Sequence, residues 1–246
     1  VAISNVASTG FVPKNTQRSP TSLALEACIA VLRDSELTAA DIDGVCGSIP
    51  DAPTIQAALG IPEVRWFANP VIPFGNHLVA AISAVHSGMA DVVLAYHTSY
   101  RMAWNTASAL KDPFRRPLTP GATPVGGPGP DTIAAAVGYA AWASRYIHEF
   151  RVPREHFGLV ALNDRKNAER NPAAAMRAPM TMDDYLAARM IREPLCLFDM
   201  DVPVDGADAF IITSAERARD LPHPPALVHG PTPVSFIHIC DHTTRT

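Results

Sequence analysis

Cysteine is scarce in this chain of 246 residues: there are four, Cys28, Cys46, Cys196 and Cys240, and none form a C-x-x-C pair. Such scattered thiols offer neither a disulfide framework nor a zinc ribbon, and reduced thiols in the cytosol are the simplest account. Lysine is scarcer, at Lys14, Lys111 and Lys166 alone. With a net charge of −4 there is no basic footprint, so nucleic acid is not an expected partner. No apolar run is long and charge-free enough to span a bilayer. No basic region precedes an apolar segment at the start, so no secretory signal is expected, and the expected location is cytoplasmic. There is no Gly-x-Ser-x-Gly elbow, which argues against a serine hydrolase. Gly126–Gly127–Pro128–Gly129 is not a phosphate loop, because no Lys-Ser/Thr follows and proline removes amide donors.

What is present is a large apolar content, 48%, enough for a sizeable core. The 23 prolines concentrate in residues 113–130 and 222–233, the expected irregular segments. Residues 1–7 are β-prone. Thr21 or Ser22 is placed to cap a helix from Leu23, with Leu25, Ile29 and Leu32 on one face. A short strand is expected at Val45–Ile49, a short helix at Asp51–Leu59 and a strand at Arg65–Ala68. The segment from Asn76 to Ser87 reads as a helix apolar on most sides, closed by Gly88. Val92–Tyr96 is a continuous apolar run, as in a central parallel strand. Helices are then expected from Asp131 to Phe150, over Pro153–Asn171 and over Met182–Met190. Ala209–Thr213 returns as a buried strand, and Ala215–Arg219 starts a helix. Strand, helix, strand in this order predicts an α/β fold with right-handed crossovers. No internal repeat is evident.

Three segments carry a specific resemblance: SLALEACIAVLRDSELTAADIDGV (22–45), HSGMADVVLAYH (86–97) and VPVDGADAFIITSAERARDL (202–221). Their order and spacing resemble the N-terminal half of a thiolase. HEFRVPREHFGLVALNDRKNAERNP (148–172) and REPLCLFDMD (192–201) resemble the loop domain of the sterol-carrier-protein-x and lipid-transfer-protein thiolase-like group. The resemblance covers residues 1–230. It implies an α/β fold, a thiolase-like layered αβα half with a helical loop-domain insertion. The implied organisation is an α/β region over 1–105, the insertion over 106–198, a return strand and helix over 199–221, and a divergent tail over 222–246. Thiolases place a nucleophilic cysteine at the mouth of the central helix, near Val71–Pro73 here, and this chain has no thiol there. The family's further catalytic residues lie in a second half, and the chain is expected to end before that half forms. A lone half would expose apolar surface, which implies a dimer or a partner chain.

Candidate site residues cluster around that helix mouth. Gly75, Asn76 and His77 open the helix, where first-turn amides could bind a thioester oxygen or enolate. The plain alternative is an Asn76 cap beside a half-exposed His77. His97 and Tyr100 follow the apolar strand, where ligands of α/β folds often gather; His97 could act as base and Tyr100 as donor. The plain alternative, ordinary loop packing, is favoured, because a lone His or Tyr carries little site information. Asp205–Gly206–Ala207–Asp208 resembles the Asp-Gly-Ala turn before the last strand of thiolases, which implies a structural turn at Asp205 and Gly206. His238-x-Cys240-x-His242 would share one strand face, but a fourth ligand is missing and no metal is expected.

The resemblance implies action on a CoA thioester without an acyl-cysteine. Cysteine-free members of the lipid-transfer-protein group cleave β-hydroxyacyl-CoA side chains by retro-aldol chemistry, as in steroid breakdown. The implied catalytic tyrosines of that group lie in the second half. A lysine Schiff base is not expected, because a thioester carbonyl does not form one. No bound cofactor is expected, and coenzyme A enters as part of the substrate. The implied assembly is a homodimer, or a hetero-oligomer with an OB-fold acyl-CoA-binding protein. The competing expectation is a catalytically inactive acyl-CoA-binding or scaffold subunit.

Overall fold

The computed structural model describes residues 1–14, 16–70, 75–101 and 134–229. The Val71–Pro73 helix mouth, the 113–130 segment, the Asp131 cap and the His238-x-Cys240-x-His242 set lie outside the described residues. The chain divides into two compact units. The first holds Val1–Gly10, Gln17–Ser99 and the chain from Gly206 on; the second holds Phe11–Thr16 and Tyr100–Asp205.

The first unit is built on a mixed six-stranded sheet. Its strands are β1 (Ala2–Ser8), β2 (Gly44–Ser48), β3 (Trp66–Ala68), β4 (Val92–Tyr100), β7 (Asp205–Thr213) and β8 (Ala226–Leu227), in the order β3-β2-β4-β7-β1-β8. β2 runs parallel to β3 and β4, and β1 runs antiparallel to β7 and β8. α1 (Pro20–Asp34) begins three residues before the expected Leu23. The Ser19 side chain, not Thr21 or Ser22, accepts the Ser22 N–H, and Pro20 at the first position has a φ preset for a helix. α2 (Ala52–Leu59) is capped by Asp51.

α3 spans Gly75–His86 and is not apolar all round. It buries His77, Ala81, Ile82 and Ala84, while Leu78, Val79 and Val85 are only half-buried. Two of these four buried residues are alanines, whose small side chains let the helix backbone lie close to the sheet. Ala81, Ile82 and Ala84 pack with Cys46, Val93 and Ala95. Gly88, at φ 72, ends the helix: its N–H donates to the Val85 carbonyl, and Met89 N–H donates to Ala84. The Asp43 carboxylate then ties β4 to its neighbours, accepting from the amides of Asp91 and Val92 and from Arg65.

Two expected boundaries shift where pairing extends the strands. β4 continues past Tyr96 to Tyr100, so His97 and Tyr100 belong to the strand rather than follow it. Asp205 and Gly206 are the first residues of β7 rather than a turn. The reason is hydrogen bonding: Asp205 exchanges both backbone bonds with Val12, and Thr9 N–H donates to Ala207. The expected helix over Ala215–Arg219 is one 3-10 turn, Arg217–Asp220.

Among its described residues the second unit is mainly helical. α4 (Ala134–Phe150) and α5 (Glu155–Arg170) precede α6 (Met182–Ala187). α6 stops three residues short of the expected Met190, because Ala188 turns extended and the chain enters a hairpin of β5 (Met190–Arg192) and β6 (Leu195–Cys196). A Cβ on Gly158 would lie 2.7 Å from the Met182 sulfur, so α5 and α6 meet at that glycine. The Tyr185 hydroxyl donates to Asp199, which also accepts from Cys196 N–H. No helix among the described residues is long and apolar enough to cross a membrane.

Candidate functional site

The sheet register determines which side chains can meet. Cys46, Gly47 and Ser48 of β2 lie beside Ala95, Tyr96 and His97 of β4. Strand alternation gives Cys46, Ser48, Ala95 and His97 one face and gives Gly47 and Tyr96 the other. Cys46 and Ala95 pack against α3, so Ser48 and His97 stand side by side on the helix-covered face.

His77 reaches that face from the first turn of α3 and is completely buried. Its Nε2 lies 2.9 Å from Ser48 Oγ. Its ring meets that of His97 edge-on, with centroids 5.5 Å apart and planes at 63°. The Cys46 thiol donates to the His77 carbonyl at 3.4 Å. The two histidines thus come together as one cluster with Ser48 and Cys46. Ser48 carried no signal in the sequence, since a single serine at a strand end is commonplace; only the register and the helix position bring it in.

Burial sets the acid–base character of the cluster. It lowers the His97 pKa below the ordinary 6.5, favouring the neutral ring. It pushes the Cys46 thiol up to about 12. A thiol held protonated is a poor nucleophile. Cys28 is buried and shifted upward for the same reason.

Gly75 and Asn76 are exposed residues of the first turn of α3, and first-turn amides fall outside a helix's own ladder of bonds to carbonyls one turn earlier. Asn76 lies inside the helix rather than at its cap. Tyr100 ends β4, three residues beyond His97, and this odd spacing points the two side chains to opposite faces of the strand. Tyr100 therefore does not join the histidine cluster. Asp205 is buried at the start of β7 and pairs through its backbone with Val12. No group of three or more His, Cys, Asp or Glu side chains among the described residues is placed to hold a metal ion.

No family model matches the chain. The chain is 35% identical to the steroid side-chain-cleaving aldolase of Thermomonospora curvata, over 93% of its own length and 60% of the relative's. It is 36% identical to the 17-hydroxy-3-oxo-4-pregnene-20-carboxyl-CoA lyase of Mycobacterium tuberculosis, over 93% and 61% respectively. The chain thus spans about three-fifths of these relatives. A shorter match, 32% identity over 90 residues, is to the acetyl-CoA acetyltransferase of Methanothermobacter thermautotrophicus. Among solved structures, the Ltp2-ChsH2(DUF35) aldolase is similar with a TM-score of 0.72 at 32% identity, over 93% of this chain and 59% of that one. Human mitochondrial 3-ketoacyl-CoA thiolase shares the fold, with a TM-score of 0.62 at 16% identity over 90% of this chain and 68% of that one.

Proposed function

This chain has a thiolase-like fold, with thiolase homologues over its N-terminal portion and aldolase homologues at 35% identity, and we propose that the protein cleaves a β-hydroxyacyl-CoA by a retro-aldol reaction in lipid or steroid side-chain degradation. One observation carries this reading. Two histidines meet on the helix-covered face of β2 and β4, and the thiol beside them, Cys46, is buried and held protonated.

In this reaction a base takes the proton of the β-hydroxyl. The Cα–Cβ bond breaks, and its electron pair passes into the thioester as an enolate. The alkoxide becomes the carbonyl compound as that bond breaks, and protonation of the enolate at Cα then gives the shortened acyl-CoA. No step requires a covalent thiol. His97, half-buried and favoured in its neutral form, is the proposed base. The first-turn amides of the exposed residues Gly75 and Asn76 are the proposed donors to the enolate oxygen. His77, with no exposed surface, holds the cluster in place rather than touching substrate. Tyr100 is left as a donor outside this cluster. Coenzyme A enters as part of the substrate, as the name of the M. tuberculosis lyase states for that protein. The proposed assembly is a homodimer or a complex with an OB-fold acyl-CoA-binding partner; the similar Ltp2-ChsH2(DUF35) aldolase is, by its name, made of two components.

The test supplies the protein and its acyl-CoA-binding partner with a β-hydroxyacyl-CoA, and separately with a β-ketoacyl-CoA plus free CoA. The expected products come from the first substrate: a ketone or aldehyde and a shortened acyl-CoA. Cleavage of the ketoacyl substrate that requires CoA and is blocked by iodoacetamide would overturn the proposal. Acyl-CoA binding without turnover of either substrate would leave a non-catalytic binding subunit.

A further inference from the structure

Ser48 is gripped from several directions. Its register partner is His97, so the two side chains leave the sheet together beneath α3. Its hydroxyl lies 2.9 Å from Nε2 of the fully buried His77. Two residues earlier on the same strand face, Cys46 donates to the His77 carbonyl and so holds the backbone that carries the ring. Immediately after Ser48 the chain reverses at Ile49, whose φ of 59 is a left-handed conformation that β-branched residues rarely adopt. Pro50 then accepts the Tyr96 hydroxyl at 2.6 Å, which fixes the far side of the turn.

A hydroxyl both donates and accepts, so Ser48 pairs with Nε2 in either tautomer of the imidazole and fixes where the ring points rather than where its proton sits. A buried ring that loses such a partner gains no water in exchange. We infer that Ser48 is a positioning residue: its hydroxyl fixes the rotamer of His77, and His77 in turn holds the His97 ring in the orientation from which it meets substrate. The first half of this inference is independent of any activity; the second rests on the proposed role of His97 as base.

The two halves are tested separately. The full chain is labelled with 15N-histidine and observed at pH 8 by long-range 1H–15N correlation, with His77 assigned by the signal lost in His77→Gln. The His77 ring protons are expected to show an NOE to the Ser48 β protons. Ser48→Ala is expected to shift the His77 pattern, and the His97 resonances with it; Ser48→Thr, which keeps the hydroxyl, is expected to restore both. With the acyl-CoA-binding partner and a β-hydroxyacyl-CoA, Ser48→Ala is expected to lower kcat about tenfold, the factor one oriented hydrogen bond supplies, with KM unchanged. Unchanged His77 and His97 spectra in a folded Ser48→Ala protein would overturn the inference. If Ser48→Ala does not fold, the unsubstituted protein decides, since the absence of an NOE between the His77 ring and the Ser48 β protons overturns it equally. Spectra that respond as expected, with no turnover in any variant, would sink the lyase reading and uphold the assignment of Ser48 to His77.

Discussion

Gly47 and Tyr96 are register partners across β2 and β4, and the tyrosine ring occupies the space a side chain on Gly47 would need. A Cβ at position 47 would lie 2.3 Å from the ring. Both the ring and the strands beside it are buried, so neither can move aside freely. The pairing also matters for the face opposite, because the same two strands carry Ser48 and His97.

Gly47→Ala is therefore expected to destabilise the chain by about 1–3 kcal/mol through overpacking. Tyr96→Phe removes the hydroxyl that donates to Pro50 and is expected to cost about 1 kcal/mol. Urea unfolding of both variants checks the pair. A Gly47→Ala protein as stable as the original would show that the ring is not confined as described.

Asp43 anchors the entry to β4. Its carboxylate accepts from the amides of Asp91 and Val92 and pairs with Arg65, which also reaches Asp91 and the Gly88 carbonyl. Asp43→Ala leaves two amides and a guanidinium short of their acceptor and is expected to cost about 2 kcal/mol. Arg65→Ala removes an exposed partner and is expected to cost about 1 kcal/mol or less. The same midpoint measurement orders the two, and an Arg65→Ala loss larger than that of Asp43→Ala would contradict this hierarchy.

Much of the first unit was legible in the sequence because local signals agree with the fold. The apolar run at Val92–Tyr96 is a central strand, Gly88 ends α3, and the short helix expected over Asp51–Leu59 forms as α2 one residue later. Errors arose where distant pairing decided the outcome. Asp205-Gly206 has turn composition, yet backbone bonds to a segment near residue 12 draw Asp205 into β7. Met190–Cys196 is too short for an alternating pattern to reveal its hairpin. The candidate site was half legible as a geometric cluster. His77 and His97 could be named from their places at a helix start and a strand end. That they touch, that Ser48 joins them and that Tyr100 turns away depend on register and on α3 lying close through its alanines. A single sequence shows none of these.

The thiols offer a check on cysteine-free chemistry. Cys28, Cys46 and Cys196 are buried, and burial pushes the Cys46 pKa up to about 12. Iodoacetamide at pH 8 is expected to leave all three unmodified in the native protein and to alkylate them after unfolding in guanidinium. Peptide mass spectrometry reads each site. Turnover, where present, is expected to survive the native treatment; rapid native alkylation of Cys46 would show that the thiol is accessible and ionisable.

The lowered pKa of His97 ties stability to pH with a definite sign. Burial favours the neutral ring, so the folded protein binds this proton less readily than the unfolded chain, whose value is near 6.5. The contribution is complete above that value and is lost as pH falls from it through the lower folded pKa. The unsubstituted protein is thus expected to lose stability below about pH 6.5 more steeply than His97→Gln, which cannot take up the proton. Taking the difference between the two curves removes the contribution of the other histidines. Turnover should follow the same proton: if neutral His97 is the base, the acid limb of kcat/KM lies below 6.5 rather than above it. Denaturation midpoints between about pH 5 and 8 give the stability curves, and initial rates over the same range give the limb. Parallel stability curves would show that His97 titrates as an ordinary exposed histidine and would remove the physical basis for its role as a neutral base.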